Sequence, residues 1–166
     1  MARTHRSPVP QNAMACRAFA RADYADAFTI QLPSSEAGMP ERFARAMFGN
    51  PPNWVLALSN LRDRIVSMFG LRKTEELFRN GPADREGKIL MQTGNEILLG
   101  ADDRHLDFRI SILGSETGGG TEICVVTTVK LNNLLGRLYL VPIKPMHRLI
   151  VPAMMRRAAL TLAQAH

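Results

Sequence analysis

Residues 105–131, HLDFRISILGSETGGGTEICVVTTVKL, decide the fold, because apolar and polar residues alternate along them with a period of two. Even-numbered residues are apolar over 106–112, and odd-numbered residues are mostly apolar over 123–131. Such alternation is typical of strands with one face on the core. The glycine run 118–120 predicts a tight turn, so the two halves are expected to form an antiparallel hairpin.

Further elements precede this hairpin. Short apolar segments at 88–92 and 96–99 predict two more strands, and short connections make the four strands an antiparallel meander. A separate strand is predicted over 27–32. Two helices are predicted after it, the first at about 40–48 and the second, amphipathic, over 53–70.

A long helix is predicted after the hairpin, from Leu134 to near the C-terminus, with an asparagine N-cap at 132 or 133. Prolines inside this segment are expected to kink or interrupt it, namely Pro142, Pro145 and Pro152. The order of elements predicts an α+β protein of the helix-grip type, in which a curved antiparallel sheet wraps around the long C-terminal helix, with two short helices after the first strand.

The positive charge is concentrated at the N-terminus. The net charge is +6, and residues 1–22 carry four arginines and no acid, whereas the rest of the chain has 17 basic and 15 acidic residues. We expect residues 1–20 to form a basic, flexible tail that can be removed without loss of stability, and residues 21–166 to form a single helix-grip domain. Without a clustered basic face on that domain, specific nucleic-acid binding is not expected.

Several protein classes are excluded by composition. The apolar region 134–155 is interrupted by charges and prolines, so no membrane span is expected, and the N-terminus has no secretory signal. Cys16 and Cys124 lack the number and spacing of a disulfide framework or a zinc site, and the four histidines are scattered. We therefore expect a cytoplasmic protein without metal or cofactor. A homodimer is left open.

Several blocks of the chain resemble a family of small bacterial proteins known only as a domain of unknown function. They are 23–32, 52–55, 100–112 (GADDRHLDFRISI), 127–129 and 133–148 (NLLGRLYLVPIKPMHR). The resemblance covers about residues 20–160, although this chain has Asn132 where the family usually carries a histidine. It implies membership of the START-like (SRPBCC) superfamily, which birch-pollen-type allergens and polyketide cyclases share. It implies no activity.

His147 is the first candidate for a site residue. It lies at helical spacing from Val151 and Met154, which places its imidazole on the apolar side of the last helix, where a helix-grip fold has its cavity. Arg137 and Tyr139 precede it by two or three turns and could fix the polar end of a ligand. We therefore predict a ligand-binding set of His147, Tyr139, Arg137 and Met154, although a hydrogen-bonded core histidine is the more ordinary explanation of His147.

A second candidate set lies on one strand. His105, Asp107 and Arg109 alternate, so they share one face at spacings of about 7 Å. The interpretation we favour is a solvated outer face with cross-strand charge pairs. The alternative is a site in which a His105–Asp107 pair fixes the imidazole tautomer.

Three functions follow from these candidates. The leading hypothesis is a binding protein for an apolar or amphipathic small molecule, held in a cavity between the sheet and the C-terminal helix. The second is a cyclase- or dehydratase-like enzyme that uses His147, or the His105–Asp107 pair, as general acid or base. The third is a protein-interaction domain without a ligand. The sequence does not decide whether the protein is an enzyme.

Overall fold

A six-stranded antiparallel sheet forms the centre of the computed structural model, which describes residues 3–33, 39–68 and 88–164. In chain order the strands are β1 (Thr4–Arg6), β2 (Tyr24–Leu32), β3 (Lys88–Gln92), β4 (Glu96–Asp102), β5 (Leu106–Thr117) and β6 (Gly120–Leu131). Their order in space is β1-β2-β6-β5-β4-β3. The described helices are α1 (Met14–Arg17), α2 (Met39–Gly49), α3 (Asn53–Met68) and α4 (Leu134–Gln164). The α+β class, the antiparallel sheet and the long C-terminal helix are confirmed.

The predicted meander is present as β3 to β6, with each strand paired to the next. The turn between β5 and β6 requires glycine at position 120, because its φ is +120° and a Cβ there would overlap the carbonyl oxygen of Leu32. Several strand limits differ from prediction. β4 continues through Asp102, and β2 begins at Tyr24 rather than at residue 27. The predicted end of the second helix at residue 70 lies outside the described residues.

One face of the sheet packs against α2 and α4 to form the main core. The buried residues of this core come from the inner face of β2, β4, β5 and β6, from α2 and from the second half of α4: Phe28, Ile30, Ile97, Leu99, Ile112, Ile123, Val125, Phe43, Met47, Val151, Met155 and Ala158. α4 contacts α2 more extensively than it contacts any strand. The C-terminal half of α4 is thus the half that the core holds most firmly.

α4 continues through all three of its prolines, so the predicted interruptions do not occur. Pro142 and Pro145 are exposed, so the carbonyl groups that lose their amide partners lie near the solvent side of the helix and can bind water. The predicted cap is Asn133, whose Oδ1 accepts a hydrogen bond of 3.0 Å from the amide of Gly136. Among the described residues, no helix is both long enough and apolar enough to cross a membrane.

The prediction of a flexible tail over residues 1–20 does not describe residues 4–17. β1 pairs with β2 at the sheet edge, and the segment around α1 crosses the outer face of the sheet with Ala13 and Ala15 fully buried. The Ala15 amide donates to Ser111 Oγ at 2.8 Å, and its carbonyl accepts from Thr128 Oγ1 at 2.9 Å. Sequence periodicity missed this contact because the segment is short and is held by hydrogen bonds to strand side chains.

The outer face of the sheet is therefore covered where the N-terminal segment crosses it. Leu98 and Val126 on that face pack against Ala13 and Ala15, and Ser111 is completely buried. Small and partly polar residues on the outward side of a strand predict a face that is exposed to solvent. In this protein those residues instead contact the N-terminal segment, which covers them.

Candidate functional site

A buried carboxylate lies on the inner face of β2. Asp26 shares that face with Phe28 and Ile30 because side chains two apart in a strand point the same way. It is only 1% exposed. A carboxylate in such a position is costly unless it is paired, so its neighbours define the site.

His147 of α4 and Tyr24 of β2 are those neighbours, and we call the three residues the Asp26 cluster. His147 Nδ1 lies 3.0 Å from Asp26 Oδ2, and the Tyr24 hydroxyl donates to the same oxygen at 2.5 Å. The edge of the Tyr24 ring meets the imidazole, with 6.1 Å between ring centroids. When Nδ1 carries the proton towards Asp26, Nε2 presents its lone pair to whatever approaches the cluster.

The second oxygen of Asp26 is unsatisfied. Oδ1 is buried and has no hydrogen-bond partner among the described residues. Buried polar atoms in folded proteins nearly always have a partner, so an unpaired carboxylate oxygen calls for a specific explanation. The stability of the fold does not explain the unpaired oxygen, because an apolar residue at position 26 would avoid the cost of removing a carboxylate from water.

Two cationic side chains of α4, Lys144 and Arg148, lie beside Tyr24 of the cluster. Lys144 Nζ lies 5.4 Å from the centroid of the Tyr24 ring. Burial, followed by the hydrogen bond to Asp26, raises the pKa of Tyr24 to about 12, while a hydrogen bond to Arg148 acts in the opposite direction. Tyr24 thus remains a neutral hydrogen-bond donor at physiological pH. With Lys144 and Arg148 nearby, the cluster is suited to an anionic group.

The part of α4 around His147 is incompletely packed. From Leu134 to Ile150 the only fully buried residues are Gly136 and Leu140. The His147 side chain is 20% exposed. Ile143, Ile150 and Met154 share its side of the helix and are half-buried. Helix residues that face a sheet are ordinarily covered, so this side of α4 offers apolar surface beside the polar cluster.

The other predicted ligand residues are not gathered around His147. The Tyr139 ring packs edge-on against His105, with 5.2 Å between centroids. Arg137 is exposed and borders a shallow, open depression formed with residues 131–134. Met154 packs against the main core. The structure therefore separates Tyr139 and Arg137 from the Asp26 cluster by about two to three turns of α4.

His105, Asp107 and Arg109 do not form one site either. His105 is buried, and the carboxylate beside its Nδ1 is that of Asp103, at 3.1 Å. Asp107 Oδ1 instead accepts from Asn132 Nδ2 at 2.9 Å. The interpretation of these residues as a solvated face is also wrong for His105, whose carbonyl accepts from the Asn132 amide and so ties the β4–β5 turn to the start of α4.

Arg109 occupies the outer face of the sheet. Its guanidinium pairs with Asp102 at 2.7 Å and lies 5.0 Å from the Phe19 ring centroid. It also donates to the carbonyl of Phe108 at 2.8 Å. These contacts place Arg109 among the residues that hold the N-terminal segment, on the opposite face of the sheet from His147.

Sequence reasoning missed Tyr24, Asp26 and Lys144. The signal for the first two was available, because residues 24, 26, 28, 30 and 32 alternate as one face, and an acid inside an apolar face marks a buried charge. A predicted strand that began at residue 27 omitted them. No local pattern pointed to Lys144, since its role depends on how α4 lies across β2.

The fold and the cluster define a class of α+β protein in which a buried aspartate of an antiparallel sheet contacts a partly exposed histidine of a long C-terminal helix. The chain belongs to the family described as protein of unknown function (DUF2867), whose model matches residues 18–154. A protein from Rhodobacter sphaeroides, solved by structural genomics, is similar with 11% identity and a TM-score of 0.48, over 98% of this chain and 99% of the other. No curated protein matches the chain. Within the described residues, no group of three or more His, Cys, Asp or Glu side chains is placed to hold a metal ion.

Proposed function

We propose that this protein binds a small amphipathic acid between the sheet and α4, with the acidic group at the Asp26 cluster. The observation that carries the proposal is the buried Asp26 carboxylate, which keeps His147 oriented through Oδ2 while Oδ1 has no partner among the described residues. Such an arrangement stabilises the fold poorly. It is well suited to holding an imidazole in one orientation for a ligand.

The charges around the cluster indicate the kind of ligand. Lys144 and Arg148 provide two cationic groups against the single carboxylate of Asp26. A carboxylate or phosphate would accept hydrogen bonds from these groups. The half-buried Ile143 and Ile150 would receive the apolar part. An amphipathic organic acid satisfies both halves of the site.

The proposed architecture is the helix-grip fold of the START-like superfamily. The antiparallel sheet with α4 packed across its inner face supports this assignment, as does the place of α2 and α3 after β2. In such a fold the ligand space lies between the sheet and the last helix. That is where the Asp26 cluster lies.

Displacement of a fluorescent probe tests the proposed function. Anilinonaphthalene sulfonate carries an apolar ring system and an anionic group, so it should bind the wild-type protein and be displaced by medium-chain fatty acids or aromatic acids. His147→Ala should weaken probe binding about 5- to 100-fold, because a buried partner is lost. Arg157→Ala is the matched control, since it removes an exposed cation of α4 remote from the cluster.

Equal loss of binding in both variants would show that probe binding depends only on the overall positive charge of α4 and not on the Asp26 cluster. Unchanged affinity in His147→Ala would contradict the proposed site. A probe that binds without being displaced by any of the acids would contradict the proposed ligand class.

An acid–base enzyme of the cyclase or dehydratase type is the second candidate function. It is favoured by one observation: Asp26 engages Nδ1 of His147, so Nε2 is left to take or give a proton. Prolonged incubation with a ligand found by displacement separates the two functions. Mass analysis of the released ligand should return it unchanged from a binding protein and altered from an enzyme.

A further inference from the structure

A continuous apolar stripe runs along the solvent side of α4. Leu134, Leu138, Val141 and Leu149 are 69%, 64%, 70% and 67% exposed, and Pro145 lies exposed between them. At 100° per residue these positions fall within a narrow sector of the helix. They extend over about 22 Å of helix axis. Single exposed leucines need no explanation, but an aligned row of large apolar side chains does.

The charge of α4 has one sign. The helix carries five basic residues and no acid, whereas residues 23–133 carry 12 basic and 15 acidic residues. Arg137 and Arg148 are exposed along one border of the stripe, and the exposed Arg156 lies in the sector of the stripe itself, beyond Leu149. A basic helix with an exposed apolar stripe is complementary to a surface that is anionic outside and apolar beneath.

We propose that α4 docks the protein on an anionic phospholipid surface, with the helix parallel to the membrane plane. The four exposed apolar side chains enter the boundary between headgroups and acyl chains, and the exposed cations of α4 outside the Asp26 cluster, Arg137 and Arg156, contact the lipid phosphates. The opposite side of the same helix remains packed on α2 and the sheet. Docking therefore requires no unfolding of the protein.

The charge pattern argues against a second copy as the occupant of the stripe. Two copies paired through this face would bring Arg137, Arg148 and Arg156 of each helix close to those of the other, with no acid on either helix. Like charges at such an interface oppose association. An anionic lipid surface has the opposite sign.

Vesicle co-sedimentation of the full chain tests the proposal. We expect binding to phosphatidylcholine vesicles that contain about one quarter phosphatidylglycerol, little binding to pure phosphatidylcholine, and loss of binding as salt is raised. The variant L138Q/L149Q should lose at least about tenfold in vesicle affinity, because two side chains that enter the membrane are replaced. I89Q/M91Q is the matched control, since it removes two exposed apolar residues of β3 and should bind as wild type.

Melting curves keep the comparison valid, because the substituted leucines are exposed and both double variants should melt near the wild-type temperature. The proposal is overturned by absent binding to both vesicles, by equal binding to both, or by wild-type binding in L138Q/L149Q. It is also overturned if the protein ignores vesicles but forms dimers that this variant dissociates, since a second copy would then cover the stripe.

Discussion

Asp26 and His147 are 121 residues apart in the chain, yet Nδ1 of His147 lies 3.0 Å from Oδ2 of Asp26. This contact ties the middle of α4 to the inner face of β2. Because Nδ1 is occupied by this contact, Nε2 is the imidazole nitrogen that remains available to a ligand. A buried acid on an otherwise apolar strand face thus sets the orientation of the His147 imidazole.

A double-mutant cycle measures the strength of this contact. His147→Ala should lower the free energy of unfolding by about 1–3 kcal/mol, because it leaves a buried carboxylate with one partner fewer. In the background of Asp26→Asn the same substitution should cost clearly less, which gives a coupling of about 1 kcal/mol or more. Urea denaturation supplies the four values.

The pair of Asp107 and Lys130, 3.8 Å apart, is the control for this cycle. Its coupling should stay below about 0.5 kcal/mol because Lys130 is well exposed. Additive effects of Asp26→Asn and His147→Ala would show that the contact does not bear on stability.

The titration of Tyr24 reports the same cluster. Its pKa is raised from 10.0 to about 12, so the folded state holds the phenolic proton more tightly than the unfolded state does. The corresponding stability is complete below pH 10 and is lost as the pH rises through about 12. In a Tyr139→Phe background, which leaves Tyr24 as the only tyrosine, phenolate absorbance should show this late titration.

Asp26→Asn should shift that titration to lower pH, because the carboxylate no longer holds the phenolic proton. A Tyr24 that titrates at the ordinary tyrosine pKa in the Tyr139→Phe protein would contradict the geometry of the cluster.

Much of the fold was readable from the sequence. Alternation over residues 105–131 identified β5 and β6, and Asn133 was among the predicted caps of α4. Strand alternation and helix capping depend on residues that are close together in the sequence. The covered outer face was not readable, because Ser111 and Thr128 form their contacts with Ala15, about 100 residues away in the chain. Likewise, helical spacing places His147 towards the sheet, but only the packing of α4 across β2 identifies Asp26 as its partner.

The N-terminal segment should contribute to stability. A chain that begins at Arg21 loses the buried Ala13 and Ala15 and exposes the Ser111 and Thr128 hydroxyls. We expect it to lose about 2–4 kcal/mol, a decrease in melting temperature of about 5–15 °C for a chain of this size. Calorimetry of both chains measures the difference. An unchanged melting temperature would show that the segment is dispensable.

The two thiols offer an independent check on this segment. Burial, followed by the charge of Glu96, raises the pKa of Cys16, and burial raises the pKa of Cys124. Both should therefore react slowly with iodoacetamide at neutral pH in the folded protein. In the chain that begins at Arg21, Cys124 should react faster because the covering segment is absent. Equal rates in both chains would contradict the packing.

Gly136 fixes how closely the start of α4 approaches the β4–β5 turn. A Cβ at this position would overlap the carbonyl oxygen of His105. Gly136→Ala should therefore cost about 1–3 kcal/mol, despite the better helix propensity of alanine. Gly49→Ala in α2 is the matched control, because a Cβ there meets nothing within 4 Å. Thermal unfolding should separate the two variants, and similar melting temperatures would contradict this close approach.

Native mass spectrometry of the freshly purified full chain tests most directly the central claim, that the Asp26 cluster holds a small amphipathic acid. The wild-type protein should carry the added mass of one small acid, His147→Ala should lose it, and Arg157→Ala should keep it. A wild-type spectrum with the polypeptide mass alone, or an adduct that His147→Ala retains at the wild-type level, would contradict the account.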